Sequence, residues 1–188
     1  MSARRRIVLA AVPHVILGCA LIAPTSAHAE RSAGDSGDSA ETAVVFEVKA
    51  TGGLSISAPA AATLTHTVPG GTSRGSIGEV EVVDERAVSD AQWTAVVSLS
   101  RAFSTGEGHW HQTIPGSRVR YDPGEAIDPV NGPFVPGLPG SLADSRAAFR
   151  HPTGSGSNSV AWDPTLEVHV PTLVVAGTYR GVVTHSVA

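Results

Sequence analysis

Hydrophobic residues in this chain recur with a period of two. Val44, Phe46 and Val48 alternate with Val45, Glu47 and Lys49, and Leu54 and Ile56 alternate with Ser55 and Ser57. Trp93, Ala95, Val97 and Leu99 share one face of another run, with Thr94, Ser98 and Ser100 opposite. Side chains of a strand point alternately to its two faces, so each run reads as a half-buried β-strand. Glycine and proline punctuate the runs at Gly52-Gly53, Pro59, Pro69-Gly70-Gly71, Thr105-Gly106, Pro171 and Gly177. No segment sustains a helical period beyond two turns. The spacing predicts strands over Thr42–Lys49, Leu54–Ser57, Ile77–Val83, Trp93–Phe103, Arg118–Tyr121 and Val160–Val170. A last strand follows Gly177, with Tyr179, Gly181, Val183, His185 and Val187 on one face. Residues from Asp122 to about Ser159 are rich in Pro and Gly and read as one long loop, with a single helical turn over Ala143–Arg150. Seven to eight antiparallel strands predict an all-β fold, a β-sandwich with Greek-key connections, as a single domain over residues 42–188.

The first 29 residues carry a different pattern. Arg4-Arg5-Arg6 precede an apolar run from Ile7 to about Ala23, followed by the small-x-small site Ala27-His28-Ala29. This order is that of a secretory signal peptide, cleaved after Ala29. The run is broken by Pro13 and His14 and is short for a bilayer span of ~20 residues. The alternative is lipidation at Cys19, the only cysteine, because Ile16-Leu17-Gly18-Cys19 resembles a lipobox. The residues after it, Ala20-Leu21-Ile22-Ala23, are greasy where lipoproteins usually turn polar. Residues 30–41 are small and polar and read as a flexible spacer. The expected location is outside the cell, with no membrane span after cleavage and no thiol in the mature chain.

Charge narrows the partners. All 17 acids follow Ala29, and Arg4, Arg5 and Arg6 precede it, leaving ten of the 13 Lys and Arg residues and a mature formal charge of −7. A chain this acidic does not bind nucleic acid or an anionic membrane by charge. No Gly-x-Ser-x-Gly elbow, His-Glu-x-x-His helix or phosphate loop is present, so no enzyme activity and no cofactor is expected.

Four landmarks occur in a recognisable order. They are Gly53-Leu54-Ser55-Ile56-Ser57-Ala58-Pro59; Gly78-Glu79-Val80-Glu81-Val82-Val83-Asp84-Glu85-Arg86; Trp93-Thr94-Ala95-Val96-Val97-Ser98 with Phe103; and Trp162-Asp163-Pro164-Thr165-Leu166 followed by Gly177-Thr178-Tyr179 and Thr184-His185-Ser186-Val187. In this the chain resembles the WxL-type cell-surface domains of Gram-positive bacteria, in an actinobacterial-looking variant, from about Thr42 to Ala188. The resemblance implies non-covalent association with the cell wall, through peptidoglycan. Of the two Trp-x-Leu motifs that name the family, the first keeps Trp93 but has Ala95 for Leu. The second has His185 for Trp and Val187 for Leu. No Leu-Pro-x-Thr-Gly sorting motif is present. The alternative partner is another surface protein, or a second copy, held through edge strands or the long loop.

Aromatic faces stack on sugar rings, so Trp93, Trp110 and Tyr179 are candidate ligand contacts, with His185 at the altered motif position. The alternation around Trp93 favours a core role for it. Trp110 lies in a loop, where function concentrates. Its neighbours His109 and His111 have the i, i+2 spacing that lets two strand residues share an ion, but His-x-His alone lacks the further ligands zinc needs. Asp84, Glu85 and Asp90 read as solvated turn residues, with Arg86 placed to pair locally with Asp84 and to contribute little at a surface.

Overall fold

The computed structural model describes residues 42–106 and 109–188. The expected leader (1–29), Cys19 and the spacer (30–41) lie outside them. The described residues form strands β1 (Leu54–Ser57), β2 (Thr72–Ser76), β3 (Val80–Asp84), β4 (Trp93–Ser104), β5 (Thr113–Ile114), β6 (Val119–Asp122) and β7 (Ile127–Val130). They continue with β8 (Val135–Pro136), β9 (Gly140–Ser141), β10 (Arg146–His151), β11 (Asn158–Trp162), β12 (Thr165–His169) and β13 (Arg180–Val187). Short 3-10 turns occupy Trp110–Gln112 and Gly116–Arg118. The fold is all-β, and every pairing is antiparallel.

The strands pair in the orders β1-β3-β11-β7, β2-β12-β6-β9 and β13-β4-β10-β8, with β5 added to β4. The first two sheets are halves of one surface folded at a corner. β2 and β3 pair with β12 and β11, from Ser76 opposite Thr165 on one side of the corner to Val80 opposite Trp162 on the other. β6 and β7 extend both halves on the next row. Three short interruptions make the bend: Ile77-Gly78-Glu79, Asp163-Pro164 and Pro123-Gly124-Glu125-Ala126. The Ser76 hydroxyl bonds the Asp163 carboxylate there, and Ile77 N–H donates to the Pro164 carbonyl at 3.0 Å. Gly78 and Gly124 take φ of +85° and +71°, which side chains other than glycine resist.

All three sheets bury their inner faces in one core. Val80, Val82, Val160 and Trp162 meet Trp93, Ala95, Val97, Ala148 and Phe149, together with Val119, Tyr121, Leu166 and Val168. The Phe149 and Trp162 rings stack with centroids 4.7 Å apart. The packing of two layers about one core makes the fold a β-sandwich.

Three expectations are corrected. Thr42–Lys49 does not form a strand and pairs with no strand among the described residues, with Phe46 81% and Val48 80% exposed. Alternation makes a segment competent to pair, but a strand also needs a partner edge. The region from Asp122 to Ser159 is not one long loop, since it carries β7, β8, β9 and β10. Ala143–Arg150 is not helical: β10 runs from Arg146 and pairs with β4 through a register shift between Ala147 and Phe149. That bulge breaks the period-two signal, which is why the strand is hard to read from the sequence.

Candidate functional site

The candidate residues separate into three places. Trp93 opens β4 and faces inward, 3% exposed. Its indole N–H donates to Asn158 Oδ1 at 2.8 Å, and Asn158 Nδ2 donates to Asp84 Oδ2 at 3.2 Å. Arg86 completes the chain with two bonds to Asp84, at 2.9 and 2.7 Å. Asp84 is fully buried, so its reading as a solvated turn residue is corrected. The hydrogen bonds from Arg86 hold its carboxyl below the ordinary 3.8. Trp93 is therefore the apolar lid on a buried polar network, and neither of its faces is open to a sugar ring.

His185 lies on the inner face of β13, opposite Val97 of β4. Trp162 Nε1 donates to the Tyr121 hydroxyl at 3.0 Å, and that hydroxyl lies 3.1 Å from His185 Nε2. An indole N–H can only donate, so the Tyr121 oxygen accepts it, and the direction of the Tyr121–His185 bond is set by the imidazole tautomer. Burial pushes the His185 pKa down from 6.5 to about 4, which keeps the ring neutral at physiological pH. Burial likewise pushes the Tyr121 hydroxyl up. His185 also lines a cleft of about 200 Å³ walled by Ala58–Ala62, Leu64, Ile77, Phe103 and Gly181–Val183.

Trp110 stands at the third place, where two loops meet at one end of the sandwich. β5 turns back onto β4, with Phe103 opposite Ile114 and Ser104 opposite Thr113. The excursion between them carries His109, Trp110 and His111. It is closed by Thr105 N–H donating to Gln112 O at 2.9 Å and by Gln112 N–H donating to His109 O at 2.8 Å. The second loop joins β12 to β13. Val175 N–H donates to His111 O at 2.9 Å, and the Tyr179 hydroxyl donates to Val175 O at 2.7 Å. Tyr179 thereby anchors the loop that braces Trp110, with its ring half-buried against the core. Its role is positioning rather than open contact.

This loop end presents apolar surface. Trp110 is 72% exposed, and Leu173 and Val175 on the neighbouring loop are exposed as well. The His109 and His111 rings are parallel, with centroids 5.6 Å apart, and Trp110 meets His111 edge-on at 5.4 Å. Among the described residues no third His, Cys, Asp or Glu joins the two histidines in a metal-holding group. The chemistry on offer is a flat aromatic face flanked by imidazole donors and acceptors, suited to stacking and hydrogen bonding. Leu173 and Val175 were not legible as site residues, because only the Val175–His111 contact brings their loop beside Trp110. Comparison with protein-family models, with curated proteins and with solved structures finds no match.

Proposed function

We propose that this chain is a secreted binding module that associates non-covalently with the bacterial cell wall, through peptidoglycan, and that the Trp110 loop end makes the contact. The observation that carries the reading is the exposed Trp110 face held on a braced turn between His109 and His111. An exposed tryptophan costs hydration free energy unless something covers it, and the apolar face of a sugar ring is a natural cover. The hydrogen bonds to the backbone of both loops mean that little order has to be imposed on binding. The acidic mature chain agrees with a neutral glycan rather than an anionic polymer as the ligand. The ordered landmarks shared with WxL-type domains support the same reading. With Trp93 buried and the second motif position occupied by His185, recognition here rests on the loop end and not on the Trp-x-Leu positions.

The test is co-sedimentation of the secreted protein with isolated Gram-positive cell walls, before and after teichoic acid is stripped. Binding that survives stripping, and that is lost in Trp110→Ala at unchanged thermal stability, is the expected result. Absence of sedimentation under both conditions would overturn the proposal.

A further inference from the structure

The inner face of β13 is incompletely covered. Gly181, Val183, His185 and Val187 are all half-buried, whereas Trp93, Ala95 and Val97 of the adjacent β4 are buried. Among the described residues β13 is also the end strand of its sheet, hydrogen-bonded to β4 on one side only. The cleft beside it is lined by Gly181, Val182 and Val183 together. Successive strand residues point to opposite faces, so a cleft that touches three in a row lies against the strand's backbone edge. On its far side stand Ala58–Ala62 and Leu64. Register shifts between Arg180 and Val183 mark the same stretch, where bulges bend a strand. From Gly181 to Val187 this edge has no proline and no charged side chain at neutral pH, the devices that normally block strand addition.

The chain also carries, at residues 44–48, a strand-like alternation that pairs with none of the described strands. Phe46 and Val48 continue the alternation begun at Val44 and remain exposed. We propose that this segment adds to the free edge of β13 in a second copy of the chain, with Phe46 and Val48 turned into the cleft. The backbone of β13 supplies the ladder and the cleft takes alternate side chains, as in other cases of strand addition. Two copies doing this reciprocally close into a twofold dimer.

A second copy is favoured over the chain's own cleft by the path into β1. Gly52 N–H donates to Glu85 O, and Glu85 N–H donates to Gly53 O, so the ladder with β3 is set before β1 begins. The cleft is built from residues that follow the opposite end of β1. Only Lys49, Ala50 and Thr51 remain to reverse the chain and carry it back along β1. Insertion into a neighbour needs no reversal. The inference is independent of wall binding, because the Trp110 loop end is a separate surface.

The experiment is light scattering and disulfide trapping on the full chain carrying Cys19→Ser, which removes the only native thiol. The expected mass is that of two chains. It falls to one chain in Phe46→Ser/Val48→Ser, with the circular-dichroism spectrum of the folded chain retained, because both residues are exposed in the isolated copy. Mixing a Val48→Cys chain with a Val183→Cys chain, whose position 183 shares the inner face with the cleft, gives a disulfide-linked heterodimer. A single-chain mass at every concentration would overturn the proposal. So would a double variant, Val48→Cys/Val183→Cys, that forms its disulfide within one chain.

Discussion

Among the described residues, His185 and Asp84 are two side chains whose surroundings couple folding to pH on the acid side. Burial takes His185 from 6.5 to about 4 in the folded chain. Between those values the unfolded chain binds a proton that the folded chain refuses. Stability is therefore complete above pH 6.5 and falls as the pH drops toward 4, by up to about 3 kcal/mol. Asp84 behaves differently: its carboxyl is held below 3.8, so the stability it contributes is lost only as the pH falls under that value. Thermal melts from pH 8 to 3 should show both declines, and His185→Gln should flatten the upper one while leaving the lower. Trp93→Phe keeps the ring but removes the donor to Asn158. It should cost about 1–3 kcal/mol in urea unfolding, because a buried acceptor is left unpaired, and should leave wall binding unchanged. The inward direction of Trp93 was legible from its alternation with Ala95 and Val97. The burial of Asp84 was not, because a carboxylate beside an arginine at a strand end looks the same in sequence whether it is solvated or sealed by Asn158 from β11.

Among the elements, the legible strands were those with clean alternation and long partners. β1, β3, β4 and β13 match the predicted runs, including the shared face of Gly181, Val183, His185 and Val187, whereas the single run over Val160–Val170 is divided at Asp163-Pro164 into β11 and β12. β7 to β10 escaped because they are short, carry Pro or Gly, or contain a bulge. Packing rather than propensity sets them. Gly137 N–H donates to Ala148 O at 2.8 Å just past β8, and a Cβ on Gly137 would come within 1.9 Å of the Ala147 carbonyl oxygen. Gly137→Ala should therefore destabilise the protein by about 1–3 kcal/mol. Hydrogen exchange should show the loss first along β8 and β10. An unchanged exchange pattern would mean that this edge is not held as closely as the geometry requires. The predicted Thr42–Lys49 strand shows the opposite case, a strong pattern without a partner edge in its own sheet.

At the scale of the molecule, one rigid sandwich carries two separate surfaces. The loop end bears the aromatic face, and the cleft edge of β13 bears an open ladder. Trp110→Ala should reduce co-sedimentation with stripped walls at least tenfold without changing the melting temperature, since its indole is mostly exposed. Trp93→Phe should do the reverse, lowering stability and leaving sedimentation intact. The pair separates a contact residue from a core residue of the same type. Leu173→Asp, on the neighbouring loop, should weaken wall binding with Trp110 present, because it places a charge on the same apolar surface.

Period-two alternation and glycine–proline punctuation were enough to determine an all-β chain, the inner faces of its longest strands and the loop position of Trp110. These are local properties, set by the geometry of a single strand. Which runs became neighbours, where the surface folds at Gly78 and Gly124, and which tryptophan is sealed depended on contacts between residues far apart in the chain. So did the approach of Val175 to His111 and the relay from Trp162 through Tyr121 to His185. Such contacts exist only once the sheets have closed over a common core, because burial and hydrogen-bond partners belong to the packed structure and not to any segment alone.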